Sequence, residues 1–309
     1  MKLSLIYSTG RLDPRLDWTL DALAGQWAVD DEVELILVDV FDRGISPEST
    51  LCGAREQAIL ARCPQITRVI ALPPMPNIWQ GKYRVTSRDW FATGIGRNTG
   101  IVLATHPHVA FLDDRCRPGS QWVATVRQYA ITAQAVAAGS YDKLEGPAAA
   151  PHVVRDHRLD LHPQGKVDCG GGWLYGCSFT LPLAWALEVN GFEDGCGGMI
   201  GGDYIFGMML ANAGHRIDFV PTLHVNQDRT GDNTTCKVGI YGCCDKGTPP
   251  DNKIRAAIAR FGTRAHTEFT PDLSALRAVL AAGGSFPIPD PTVDYRDWFD
   301  DELVREMKS

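Results

Sequence analysis

At 309 residues, 44% hydrophobic and 22% charged, the chain has the size and composition of one large α/β domain or a domain with an appended tail. No apolar run approaches the ~20 residues that span a bilayer. The short apolar start runs straight into Arg11 and Asp13, and the nine cysteines form no regular disulfide framework, so a soluble cytoplasmic protein is expected. A formal net charge of -7 excludes a broadly basic nucleic-acid surface and leaves only a local cluster, Arg84, Arg88 and Arg97.

Leu3 to Tyr7 reads as a first strand, ended by the turn-forming Ser8-Thr9-Gly10. Asp13 and Pro14 open a helical pattern carried by Trp18, Leu20, Leu23 and Trp27. Val33 to Val40 is an apolar, β-branched run bounded by charges, the pattern of a buried parallel strand. A helix from about Ser49 to Ala61 and a strand from Thr67 to Leu72 follow, stopped by Pro73-Pro74-Met75-Pro76. Trp90 to Ala104 is helical, and Val109 to Leu112 is a fourth strand ending on Asp113-Asp114. This alternation predicts a mostly parallel sheet with helices on both faces.

A helix is expected within Pro118 to Ala138, then a long loop over 142–168, where periodicity disappears and Pro, His, Asp and Gly collect. Trp173 to Leu181 reads as a strand and Pro182 to Glu188 as a short helix with proline in its first turn. Asp203 to Ala213 is a helix and Arg216 to Val220 a strand. From Asn226 the chain turns loop-rich, with helices near Asn252–Phe261 and Asp272–Ala282 and a charged tail after Trp298 and Phe299. There is no internal repeat.

In an open parallel sheet, ligands bind beyond the carboxyl ends of the strands. Ser8-Thr9, Asp39 and Asp113-Asp114 stand at three such ends. Paired carboxylates there suit a hard divalent cation shared with a diphosphate, although any one of them would serve equally as a helix cap or turn former.

The run Arg97-Asn98-Thr99-Gly100-Ile101 followed by Phe111-Leu112-Asp113-Asp114 resembles the "RN-x-G … LDD" signature of family-2 glycosyltransferases. The first strand with Ser8-Thr9 and then Leu20-Asp21-Ala22-Leu23 and Gln26 resembles that family's start. Gly170 to Leu181, Glu188-Val189-Asn190-Gly191-Phe192-Glu193-Asp194 and Gly202-Asp203 look like its acceptor half, and the likeness runs from about Lys2 to His224. FLDDR, GGWLYGCS and the later DRT resemble phage and environmental members. The resemblance implies a GT-A fold, with a donor half over 1–117, an acceptor half over 118–225 and an extension over 226–309 packed on the same domain. It implies inverting transfer of a sugar from a nucleotide-diphosphate sugar, a UDP-sugar among them, to a hydroxyl acceptor, with hydroxymethylated DNA bases as one candidate.

Roles follow from the same resemblance. Ser8, Thr9, Asp39, Arg97, Asp113, Asp114 and Arg115 would bind donor, Asp39 at the nucleobase. Asp203 would be the general base. Asp114 with His224 would hold a divalent metal, manganese or magnesium. Trp173, Tyr175, Glu193 and Asp194 are acceptor-side candidates. Two departures stand out: Arg115 occupies the position where the family has a second spaced carboxylate, and Gly202 replaces the glutamate before Asp203. Either one aspartate of the pair carries the metal with His224, or the Arg115 guanidinium partly replaces it.

Other signals carry less. Gly94 to Gly100 has the wrong spacing and context for a dinucleotide loop, and no Walker A loop is present. Cys236, Cys243 and Cys244, with His224 upstream, could bind zinc but match no standard four-ligand spacing, so ordinary buried thiols are the alternative, while Cys169 and Cys177 read as core. Trp79, Trp90 and Phe91 suit either stacking on a base or sugar or a structural role. A nucleotidyltransferase and a non-catalytic nucleotide- or carbohydrate-binding module are the rival readings.

Overall fold

A computed structural model describes residues 1–44, 51–77, 93–194, 202–230, 262–265, 267 and 270–292. Strand β1 (Lys2–Thr9) pairs in parallel with β2 (Glu32–Asp39) on one side and β4 (His108–Asp113) on the other. β3 (Ile66–Leu72) extends the parallel set beyond β2. Alternate side chains of these strands feed two cores, because successive residues of a strand point to opposite faces. Ile6, Ile36, Val38, Val109 and Phe111 join one cluster; Leu3, Leu5, Tyr7, Leu35, Leu37 and Leu112 join the other. Helices α1 (Leu16–Leu23), α2 (Ala54–Leu60) and α4 (Trp122–Thr132) cover the second face. The first is covered by α3 (Thr93–Leu103), α6 (Leu183–Glu188), α7 (Gly202–Asn212) and α8 (Leu273–Ala281).

The described sheet has nine strands, in the order β3-β2-β1-β4-β8-β6-β9-β5, with β7 paired to β6. Beyond β4 the direction becomes mixed: β8 (Ser178–Pro182) runs antiparallel to β4, and β6 (Val136–Glu145) antiparallel to β8. β9 (Ile217–Asp228) then runs parallel to β6, and β5 (Cys116–Pro118) is antiparallel to β9.

The second half departs from the sequence reading in four places. The helix expected within 118–138 stops at Thr132, where Ala133 adopts a left-handed φ of 46°. The small residues after it, which favour helix in isolation, build β6 instead, wedged between β8 and β9. A Cβ on Gly139 would lie 2.2 Å from the Leu223 carbonyl oxygen, so close packing and not propensity decides this segment. The expected loop over 142–168 contains the end of β6, β7 (His152–Arg155) and the short helix α5 (His157–Leu161). Its organiser is a buried ion pair, Asp156 with Arg158 at 2.6 Å. The strand expected over 173–181 is a 3-10 turn at Gly171–Trp173 with a strand only from Ser178, because Gly171 packs directly on Gly207 of α7. Finally, β9 runs on to Asp228.

Three neighbours on α3 do different jobs. Arg97 reaches the carboxyl ends of the strands, as described below. Asn98 donates to the Phe192 carbonyl and the Asp194 carboxylate and accepts from the Phe192 amide, pinning the turn after α6. Gly100 lets the helix lie on β1, since a Cβ there would sit 2.4 Å from Ile6 Cγ2. At the far end of α3, Arg277 of α8 donates to the carbonyls of Ile101, Val102 and Ala104, closing a helix C-terminus that lacks its own acceptors' partners.

Candidate active site

Strand register brings the strand-end residues together. Ser8 is level with Asp113 on β4, and Thr9 with Asp39 on β2, so the two carboxylates flank β1 at the same end of the sheet. Asp114 is buried and fully engaged: Thr9 Oγ1 donates to Oδ2 and Arg11 Nε to Oδ1, each at 2.7 Å. Burial raises the Asp114 carboxyl above the usual range, against the pull of Arg11 and Thr9. Asp39 is likewise enclosed. Arg43 donates to both of its oxygens through Nε (2.7 Å) and Nη2 (2.8 Å), and the amides of Phe41 and Arg43 add further bonds. The Ser8 hydroxyl is buried without a hydrogen-bond partner among the described residues.

Asp113 is the more open acid of the pair, with a quarter of its side chain exposed. One oxygen accepts from Arg97 Nη2 at 2.7 Å. The same Nη2 donates to the carbonyl of Gly176 at 2.9 Å, and the Gly176 amide donates to the carboxylate of Asp203 in the first turn of α7. Asp203 therefore reaches out of its helix to the β4 side of the cleft. A single glycine joins Asp113 and Arg97 to Asp203. Sequence reasoning missed Gly176, whose only signal was its place within the Trp-Leu-Tyr-Gly-Cys run.

Tyr175 and Tyr141 form the neighbouring wall, their ring centroids 6.0 Å apart, and the Arg158 guanidinium lies 4.0 Å from the Tyr175 ring centre. Trp173 faces elsewhere, against His162 and Phe219. Lys143 of β6, which sequence reasoning also missed, packs its ammonium 4.1 Å from the centre of the Tyr141 ring. Cys177 is buried and Cys169 half-buried; both are free thiols. Glu193 and Asp194 are buried, bonded to Thr270 and Asn98, and burial holds the Asp194 carboxyl well above the usual range, with Glu193 adding to it.

His224 and Arg115 point to different partners. The His224 ring lies 2.8 Å from Ser140 Oγ through Nδ1 and 3.8 Å from Asp142 through Nε2. Arg115 pairs with Asp228 at 3.2 Å. Among the described residues no three His, Cys, Asp or Glu side chains form a set able to hold a metal ion. Asp114 is held by Thr9 and Arg11, and His224 by Ser140 and Asp142, so the two residues of the expected metal pair have separate partners. Arg84, Arg88, Trp79, Trp90, Phe91, Cys236, Cys243 and Cys244, and the helix expected near 252–261, lie outside the described residues.

No protein-family profile matches the chain, and no curated protein matches it. Solved structures do. TarS of S. aureus in complex with UDP is 15% identical, with 74% of this chain and 60% of that chain covered and a TM-score of 0.51. Its complex with UDP-GlcNAc gives 14% identity, 84% and 66% coverage and a TM-score of 0.53. GalNAc-T7 with UDP, GalNAc and Mn2+ gives 12% identity, 84% and 48% coverage and a TM-score of 0.53. The chain thus matches only 60% of the length of the first TarS structure. The fold is the GT-A fold of glycosyltransferases.

Proposed function

We propose that the chain is a glycosyltransferase which moves a sugar from a nucleoside-diphosphate sugar to a hydroxyl acceptor with inversion. The observation that carries this reading is the bond chain Asp113–Arg97–Gly176–Asp203, which ties a strand-end carboxylate to a helix carboxylate across one cleft. The fold adds support, since TarS is seen with UDP and with UDP-GlcNAc.

In this reading Asp203 is the general base. It takes the proton of the acceptor hydroxyl as that oxygen bonds to the anomeric carbon, while the bond from that carbon to the diphosphate oxygen breaks. The electron pair leaves with the nucleoside diphosphate, so the departing oxygen needs positive charge nearby. Asp113, Arg97 and the rim at Ser8, Thr9 and Arg11 form the donor side; Tyr175 and Tyr141 form the acceptor wall. An acceptor carrying a hydroxymethyl group, such as a modified DNA base, suits this chemistry, and a divalent metal, manganese or magnesium, would supply positive charge to the departing diphosphate.

The test is a melting-temperature screen of the chain against nucleotide sugars and nucleoside triphosphates, followed by product analysis. Binding adds stability by mass action, about 2.7 kcal/mol at a hundredfold excess over Kd. A nucleotide sugar that raises the melting point and is then hydrolysed or transferred sustains the reading. Pyrophosphate release from a triphosphate would replace it with nucleotidyl transfer, and binding without turnover would make the chain a binding module.

A further inference from the structure

The cations around this cleft are almost all spoken for. Arg97 is on Asp113, Arg11 on Asp114, Arg43 on Asp39, Arg115 on Asp228 and Arg158 on Asp156. Lys143 differs. Its side chain is half-buried, yet it makes no hydrogen bond or ion pair with a described residue and rests over the Tyr141 ring. Taking a cation from water without a counter-charge costs several kcal/mol, and contact with an aromatic face returns only part of that. Such an ammonium suits an anion that comes and goes.

Register shows which way it faces. Lys143 is paired with Gln227 on β9, and paired residues of neighbouring strands share a face. Gln227 donates to the Asp114 carbonyl at 3.4 Å and accepts from the Cys177 thiol at 3.7 Å, so this face looks on to the Asp113–Asp114 end of β4. Burial lowers the Lys143 ammonium, but its neighbours Cys177, Tyr141 and Asp113 outweigh that and the net shift is upward. Burial also raises the Cys177 thiol, and Asp113, the carboxylate among these neighbours, is already bonded to Arg97, so the ammonium has no acid of its own among the described residues.

Resting on the transferase reading above, we infer that Lys143 supplies the positive charge that receives the departing diphosphate, in the part a divalent cation would otherwise play. As the glycosidic carbon–oxygen bond breaks, the charge left on the diphosphate is met by the ammonium and by no change in protonation of the protein beyond Asp203. The carboxylates of the strand ends, being already neutralised by arginines, then serve to hold those arginines and not a metal.

The experiment titrates the diphosphates of uridine, cytidine, adenosine, guanosine and thymidine, with the matching nucleosides, into the parent chain, Lys143→Gln and Lys143→Arg, in excess EDTA and again in manganese. One diphosphate should bind the parent equally well in both buffers. Lys143→Gln should weaken it by at least about tenfold, the scale of one charged hydrogen bond, while the matching nucleoside changes by less than about twofold. Lys143→Arg should recover most of the loss. Parent binding seen only with manganese, or diphosphate affinity unchanged in Lys143→Gln, would overturn the assignment to Lys143 while leaving the transferase reading intact. A parent that binds none of the five would overturn both. If Lys143→Gln does not fold, the manganese comparison on the parent and the Lys143→Arg titration still decide.

Discussion

Replacing Gly176 by alanine tests the bond chain through the cleft most directly. The added Cβ would lie 2.3 Å from Arg97 Nη2, 2.9 Å from Nη1 and 3.0 Å from Cζ, far inside contact distance. Backbone does not move easily there, because the Gly176 amide and carbonyl are both bonded. The guanidinium is the mobile end of its side chain and should yield, breaking its bonds to Asp113 and to the Gly176 carbonyl. Overpacking alone costs about 1–3 kcal/mol. A lost charge-assisted hydrogen bond costs about 1.5–3 kcal/mol, reduced here because the freed Asp113 can be hydrated.

We therefore expect Gly176→Ala to destabilise the fold by about 1–3 kcal/mol and to lower sugar transfer roughly 10- to 100-fold. Thermal and denaturant unfolding with a double-mutant cycle isolates the cause. The three atoms nearest the new methyl all belong to Arg97, so with Arg97 already alanine Gly176→Ala should add much less than it does alone. The coupling should reach at least about 1 kcal/mol, beyond the ~0.3–0.5 kcal/mol within which independent sites add. Gly25→Ala, where a Cβ meets nothing within 4 Å, is the control and should be near neutral. Additive costs at Gly176 and Arg97 would refute the idea that the glycine acts through the arginine.

Asp203→Asn should fold with an almost unchanged melting point and lose transfer by at least about a hundredfold, as removal of a general base does; near-normal transfer would move the base elsewhere. Gly100→Ala should destabilise by about 1–3 kcal/mol, and Ile6→Ala in the same chain should offset part of that, which chemical denaturation would show as a cost well below the sum. Asp156→Ala leaves the buried Arg158 without its acid and should cost about 3–5 kcal/mol by the same assay. His108 sets an acid limb of stability: burial lowers it from 6.5 to about 4. The unfolded chain therefore takes the proton first, so stability is intact above about pH 6.5 and falls by roughly 3 kcal/mol as pH drops towards 4, a slope that His108→Leu should flatten.

The first half of the fold was legible because its parallel strands are rich in apolar residues, and two of them, Glu32–Asp39 and His108–Asp113, end on an acid. The segment from Ala133 to Cys177 was not, since its order comes from tertiary contacts that leave no periodic trace. β6 carries the alanines of a helix but is held by Leu223 and Ser178 on either side of Gly139, and α5 depends on the buried Asp156–Arg158 pair. The site divides in the same way. Asp39, Asp113, Arg97 and Asp203 were readable as motif residues. Arg11, Arg43 and Lys143 were not, because a cation's partner is fixed by strand register and turn geometry that no local pattern encodes. The helix motif Arg97-Asn98-x-Gly100 was readable as a unit, but the separate task of each position needed the packing of α3 on β1 and on the Phe192 turn.

The arginine pairing changes what the strand-end acids can do. Asp114 accepts from Arg11 and Thr9, while Asp39 accepts from Arg43 Nε and Nη2 and from the amides of Phe41 and Arg43, which fills its lone pairs. Asp39 does fix its arginine: Arg43 also donates to the carbonyls of Leu12 and Arg11, which locks the turn after β1 over the end of β2. For Asp39 to meet a nucleobase, Arg43 would have to swing away, so Arg43→Ala should open that face and change nucleoside affinity in step with Asp39→Asn only if the two share one contact. Asp113 stands apart because it is partly exposed and is held by Arg97 through one oxygen. The paired acids and arginines neutralise one another at the strand ends, and on the proposed reading the groups left to meet a ligand's charge are Asp113, Asp203 and Lys143, which has no ion pair with a described residue.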